Sequence, residues 1–222
     1  SAAEVIDGKW YLFGGILNGS TGQVQIFDPV ANTWSLGTPM AWAASSSATA
    51  VIDGKVYIAG GMINGMSTTA QATIYDPVAD SYAPMASMPV GRHHTAAATD
   101  GSKLWVFGGR DGANTVTNGF DDVQVYDPMT DTWATSNDVN AVLIALPVAR
   151  GGMGKAVYRN GEFYVIGGET QNAAGANPDN VYDRVDIYDP STDTWRTETP
   201  MARPRHGSFP ILFEGRIFVP AG

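Results

Sequence analysis

The 222-residue chain contains no cysteine, so it has no disulfide, no thiolate zinc site and no cysteine nucleophile. It has no uninterrupted apolar run of the length that crosses a bilayer as a helix. Its first residues, Ser1-Ala2-Ala3-Glu4, lack the basic flank and apolar stretch of a signal peptide. Positive charge is scarce. Thirteen Lys and Arg face 22 Asp and Glu, a formal net charge of −9. Such a field repels phosphate backbones and anionic lipid, which argues against nucleic-acid and membrane-surface partners. Charged residues make up only 16% and apolar ones 44%, so the chain can bury a packed core and is not disordered. The abundant residues are punctuators. There are 26 glycines and 13 prolines, spread along the chain in the manner of many turns between short strands.

One signal recurs five times. Lys9-Trp10-Tyr11-Leu12-Phe13-Gly14-Gly15 returns as Lys55-Val56-Tyr57-Ile58-Ala59-Gly60-Gly61 and as Lys103-Leu104-Trp105-Val106-Phe107-Gly108-Gly109. It returns again as Glu162-Phe163-Tyr164-Val165-Ile166-Gly167-Gly168 and, degenerately, as Arg216-Ile217-Phe218-Val219-Pro220-Ala221-Gly222. The spacings are 46, 48, 59 and 54 residues. A second signal follows each of the first four copies: an aromatic-Asp-Pro triplet with another aromatic five residues beyond the proline. These are Phe27-Asp28-Pro29 to Trp34, Tyr75-Asp76-Pro77 to Tyr82, Tyr126-Asp127-Pro128 to Trp133 and Tyr188-Asp189-Pro190 to Trp195. A third signal opens the units: Met40, Met88, Leu146 and Met201 lead, four residues on, to Ala44, Arg92, Arg150 and Arg205.

Repetition at about fifty residues marks supersecondary units that bury their faces only against one another. Each unit reads as four strands. Strand a is a small-residue run such as Ser46 to Ile52 or Thr95 to Thr99. Two-residue turns follow at Asp7-Gly8, Asp53-Gly54, Asp100-Gly101, Asn160-Gly161 and Glu214-Gly215, where Asp-Gly and Asn-Gly accept positive φ. Strand b is the aromatic and β-branched run. Strand c runs into aromatic-Asp-Pro, where proline presets the next turn. Strand d carries the spaced Trp. Four short antiparallel strands per unit, stacked radially, predict an all-β propeller. The Gly-Gly pairs would admit a neighbouring sheet closely, and each recurrent Trp or Tyr would bury about 150–250 Å². The units run over about 1–40, 41–88, 89–146, 147–201 and 202–222, one propeller segment of four full four-stranded blades plus a half blade. These ends do not complement one another, so the expectation is an incomplete propeller whose open blade edges can self-associate.

These residues resemble the kelch repeat, over essentially the whole chain. The resemblance implies a propeller of six or seven blades with strand a innermost, usually a non-catalytic binding or scaffold module. Some members are enzymes, copper oxidases and a bacterial sialic-acid epimerase among them. The copper chemistry needs a tyrosine cross-linked to cysteine, and this chain has no cysteine. No cofactor and no metal site is expected.

The d-to-a links and b-to-c loops share one face of an antiparallel blade. Those loops vary: from the second glycine to the Asp of Asp-Pro the distances are 13, 15, 18 and 21 residues. Long variable loops on a rigid scaffold place binding on that face. Arg92, Arg150 and Arg205 start their strands there, where they could border the channel and hold a carboxylate through bidentate bonds. His94 stands beside Arg92. Glu169 is the one carboxylate directly after a Gly-Gly pair and a candidate for acid–base work, against a role as a solvated loop residue. The expected ligand is a protein or acidic peptide, or an acidic sugar; the alternative function is a carbohydrate-binding or carbohydrate-active propeller resembling the sialic-acid epimerase. The polar loops 111–122 and 177–183 lack the spacing of a calcium loop and read as solvated. The composition leans towards an exported bacterial protein.

Overall fold

A computed structural model describes residues 1–112, 119–170, 180–220 and 222. Among them there is no helix, and the strands form four four-stranded antiparallel sheets and two hairpins. The first blade is β1 (Ala2–Ile6), β2 (Lys9–Ile16), β3 (Ser20–Asp28) and β4 (Thr33–Gly37). The second is β5 (Ala48–Ile52), β6 (Lys55–Ala59), β9 (Ala72–Asp76) and β10 (Ser81–Pro84). Between β6 and β9 lies a hairpin that the repeat pattern does not announce, β7 (Met62–Ile63) with β8 (Ser67–Thr68). The third blade is β11 (Ala96–Thr99), β12 (Leu104–Phe107), β13 (Val123–Asp127) and β14 (Thr132–Thr135). The fourth is β15 (Val157–Arg159), β16 (Glu162–Ile166), β17 (Val185–Asp189) and β18 (Thr194–Thr197). The fifth unit contributes the hairpin β19 (Ile211–Phe213) and β20 (Arg216–Phe218). Among the described residues the sheets form a β-propeller segment of four full blades and a half blade.

Turn chemistry sets the register. Asp7-Gly8, Asp53-Gly54, Asn160-Gly161 and Glu214-Gly215 hold positive φ at both positions, the two-residue hairpin geometry that their sequences predict. The third blade differs. Ser102 adds residues to the turn, so Thr99 pairs with Leu104 and Asp100 is not left-handed. The Asp100 carboxylate instead accepts the N–H groups of Ser102 and Lys103, and Trp105 Nε1 at 2.8 Å.

Blades join through three repeated contacts. Tyr11, Tyr57 and Trp105 on strand b meet Tyr75, Tyr126 and Tyr188 on strand c of the following blade, with ring centroids 6.2, 5.9 and 5.6 Å apart. Around them three apolar clusters fill the spaces between successive blades. The second glycine of each pair donates its N–H at 2.9 Å to the carbonyl at the start of the next unit: Gly15 to Ala44, Gly61 to Arg92, Gly109 to Arg150, Gly168 to Arg205. The first glycine lies beneath that same carbonyl with φ near +60°. A Cβ there would sit 2.1–2.6 Å from the oxygen, which is why no other residue fits. The third contact is polar. The indoles of Trp133 and Trp195 donate to the carbonyls of Ala86 and Ile144, and the Tyr82 hydroxyl donates to that of Thr38, each in the link from the preceding unit.

Strand a is innermost. Residues of β1, β5, β11 and β19, together with Lys155 and Ala156 just before β15, converge on one central channel. Its larger part is a mostly apolar cavity of about 540 Å³. It meets a second cavity of about 260 Å³ at the loop-rich face. Lys155, lining both, pairs across the channel with Glu4 of β1 at 2.6 Å.

Candidate site at the channel mouth

The start of strand a has one conformation in the second to fifth units. Two residues after Ala44, Arg92, Arg150 and Arg205 stand Ser46, His94, Gly152 and Gly207, with φ of 55°, 53°, 65° and 62°. This left-handed step lets the chain turn from the loop-rich face into the channel wall, and consecutive blades bond there. His94 N–H donates to the Ser46 carbonyl at 3.1 Å, Met153 N–H to that of His94 at 3.1 Å, and Gly207 N–H to that of Gly152. Two blades use glycine for this step; serine and histidine hold it at a cost of about 1–2 kcal/mol. Both Ser46 and His94 line the mouth cavity, beside Ser47, Thr95 and Lys155.

Burial keeps the imidazoles neutral. Desolvation, reinforced by the neighbouring Arg110 and His93, pushes His94 down to about 3. Desolvation also lowers His93, whose contact with Gly112 only partly opposes it. Neutrality settles the hydrogens. His93 Nε2 faces the Gly112 carbonyl at 2.8 Å, so it carries the proton. His93 Nδ1 is then an acceptor, and His94 Nδ1–H donates to it. That leaves His94 Nε2 to accept the Ser46 hydroxyl at 3.2 Å. The result is a directed chain from Ser46 through both histidines to a loop carbonyl.

Arg110 and Glu169 extend this wall into the third and fourth blades. Each directly follows a Gly-Gly pair and bridges back to the start of its own strand a, Arg110 to His93 and Glu169 to Gly151. Their side chains form an ion pair with little exposure, and His206 Nδ1 lies 3.5 Å from the second carboxylate oxygen. Arg110 Nε is buried with no partner among the described residues. Glu169 is therefore held between two basic side chains, not solvated as a free loop residue.

The arginines divide. Arg92 is 1% exposed and bonds Asp122 through both terminal nitrogens, at 2.6 and 2.8 Å, under the ring of Phe120. Arg150 is fully buried, 2.8 Å from Asp186, with further bonds to the carbonyls of Gly167, Val165 and Val148. Neither guanidinium reaches the channel or the solvent. This corrects the expectation that they border the opening: each crosses its own blade to a carboxylate, Asp122 just before β13 and Asp186 on β17. Arg205 is partly exposed and has no carboxylate in ion-pair range among the described residues. The structure thus places His94 and Ser46 at the mouth cavity, links His94 through His93 and Arg110 to Glu169 and His206, which line neither cavity, and takes Arg92 and Arg150 away. Arg110 was missed in the sequence, although its place directly after Gly-Gly, like that of Glu169, was a signal that could have found it. Loop residues 113–118 and 171–179, which hold much of the polar-loop reading, lie outside the described residues.

Comparisons with known proteins agree on the architecture. The KLHDC2/KLHL20/DRC7 Kelch-repeats domain model matches residues 2–222. The Kelch-like protein terF of Aspergillus terreus is 31% identical over 90 residues, 40% of this chain and 17% of that protein. The F-box/kelch-repeat protein At1g67480 of Arabidopsis thaliana is 32% identical over 101 residues, 46% of this chain and 23% of that protein. The chain thus aligns with less than a quarter of either relative, one fungal and one plant, neither bacterial as the composition suggests. The solved structure of YjhT superposes on 98% of this chain and 75% of its own with a TM-score of 0.78, at 17% identity, a likeness of fold. The chain belongs to the kelch-repeat family.

Proposed function

We propose that the chain is a binding module that holds an extended segment of a partner protein across the channel mouth on the loop-rich face. One observation carries this reading. His94 keeps a left-handed backbone where two other blades use glycine, and it presents a half-buried, hydrogen-bonded imidazole at the cavity. Strain of that kind is retained where the side chain is used. The chemistry favours recognition over catalysis. A general base works best with a pKa near the operating pH, and one at about 3 has little affinity for a proton. Glu169 is likewise committed to Arg110 and His206. Lys155 at the mouth and Arg110 behind it each face a carboxylate, so the mouth offers hydrogen bonds more than net charge. The carboxylate preference narrows to Arg205.

A carbohydrate ligand is the second reading. Ser46, Ser47, Thr95 and His94 put hydroxyls and an imidazole around a cavity of about 260 Å³, groups that suit sugar hydroxyls. The test is selection of peptides from a random display library on the immobilised chain, beside a panel of neutral and acidic sugars followed by thermal shift. Peptides whose binding is lost with His94→Gly support the proposal. A sugar that stabilises the chain and is chemically altered by it, with no selectable peptide, overturns it.

A further inference from the structure

The hydroxyl hydrogens at the channel mouth have fixed destinations. The Gly112 carbonyl faces His93 Nε2 at 2.8 Å, which places the proton of that neutral ring on Nε2. His93 Nδ1 then offers only a lone pair, so the proton between the two rings belongs to His94 Nδ1. His94 Nε2 is left as an acceptor, and the Ser46 hydroxyl, 3.2 Å away, must donate to it. Ser47 commits its hydroxyl hydrogen in the same way, to the Gly60 carbonyl at 3.0 Å. Both serines line the mouth cavity of about 260 Å³, so their oxygens hold lone pairs alone for a ligand. Lys155 lines the same cavity and is opposite in kind. Its ammonium carries three N–H groups, of which Glu4 takes one at 2.6 Å, and Glu4 also matches its charge. These lining residues stand in the second, third and fourth blades.

We infer that the mouth recognises a primary carboxamide, the side chain of an Asn or Gln on the bound segment, and turns carboxylates away. The inference rests on the channel-mouth reading and names the group that the segment inserts. A carboxamide has two N–H donors, which suit the oxygens of Ser46 and Ser47, and a carbonyl that accepts from Lys155. It is neutral, so it adds no charge beside the Lys155–Glu4 pair. A carboxylate has no hydrogen to give, and its oxygens would meet the serine lone pairs. To bind one, Ser46 would have to turn its hydrogen outward and leave His94 Nε2 without its donor. An ammonium supplies donors, but it repeats the charge of Lys155 and offers that side chain no acceptor.

The probes are Nα-acetyl-glutamine N-methylamide and its asparagine analogue, titrated into the isotope-labelled 222-residue chain and followed by NMR amide shifts. Nα-acetyl-glutamate N-methylamide, the acid of the same shape, and the alanine analogue are the controls. At least one carboxamide should give saturable shifts at Ser46, Ser47 and Lys155, in the millimolar range that about a dozen non-hydrogen atoms allow. The acid should bind at least about tenfold more weakly, and the alanine analogue not at all. The two carboxamides differ by one methylene and so separate Gln from Asn as the source. Ser46→Ala and Ser47→Ala should each weaken carboxamide binding about three- to tenfold, as loss of one neutral hydrogen bond does, and narrow the preference over the acid. Ser47 lies outside the left-handed step, so its variant reads the effect even where Ser46→Ala disturbs the fold. Equal affinity for carboxamide and acid, shifts from the acid alone, or no carboxamide response at these residues would overturn the inference. A display-selected peptide that binds the mouth equally well after its Asn and Gln become Asp and Glu would also overturn it, while leaving the binding-module reading in place.

Discussion

The carbonyl above Gly108 leaves no room for a methyl group, whereas the turn glycine Gly161 faces open space. Both have positive φ. Gly161→Ala should therefore cost about 1–2 kcal/mol for the left-handed backbone alone. Gly108→Ala should cost about 3 kcal/mol or more, because the Gly109–Arg150 bond between blades must also shift. Urea denaturation of the two variants measures the difference; equal costs would contradict the close-approach account. Buried charge gives a second prediction at this scale. Asp122→Asn strands the Arg92 guanidinium and should cost about 3–5 kcal/mol, while the pair Arg92→Met with Asp122→Leu should cost less than the single change. A double-mutant cycle reads this directly. Arg92 and Arg150 were visible in the sequence as a repeated position, but their partners were not. Asp122 lies four residues before Tyr126, whereas Asp186 lies two before Tyr188. With no fixed offset, nothing in the spacing tells a buried pair from a free rim arginine.

Elements were more legible than sites, because turns and glycine pairs act locally. The a–b hairpins and the strands running into Asp-Pro follow from residues a few positions apart, while the innermost place of strand a came from the kelch resemblance. The third hairpin departs through one inserted serine, and β7–β8 arises in a loop with no repeat signal. The mouth was harder to read. Its left-handed step is obvious at Gly152 and Gly207 only once Ser46 and His94 are seen to share it. That element carries a pH signature. The folded state keeps His94 and His93 neutral, while the unfolded chain protonates its histidines below about 6.5. Their folded values are depressed, so the unfolded state binds more protons, and stability is lost as pH falls from about 6.5 towards 3. Carboxylates add to this below about 4. Burial pushes Asp186 up, but Arg184, Arg150 and Thr197 together hold it below the usual range, so its contribution also fades with acid. Denaturation midpoints from pH 7 to 3.5 should fall steadily for the native sequence. His94→Gly should flatten the slope above pH 4.5 and leave stability at pH 7 equal or raised. An unchanged slope would remove His94 from the account.

At the scale of the whole molecule, the stack explains which faces are covered. Trp10 is 51% exposed, while Val56, Leu104 and Phe163, at the same place in the next three blades, are fully buried. In those blades the preceding sheet lies against that position. Trp10→Ser should thus leave stability nearly unchanged, within about 0.5 kcal/mol. Phe163→Ser, which cuts the cluster between the third and fourth blades, should cost more than about 4 kcal/mol. Comparable thermal shifts for the two would show that the blades do not pack in this order. The same stacking sets the two faces of the propeller apart, short Asp-Pro turns on one and long loops with the His94 mouth on the other. Amide exchange on the chain with a display-selected peptide bound tests that distinction most directly. Slowed exchange at Ser46–Ser47, His93–Thr95, Arg110 and Glu169 is the predicted result. Slowing confined to the opposite face, at the turns following Asp28, Asp76, Asp127 and Asp189, would contradict it.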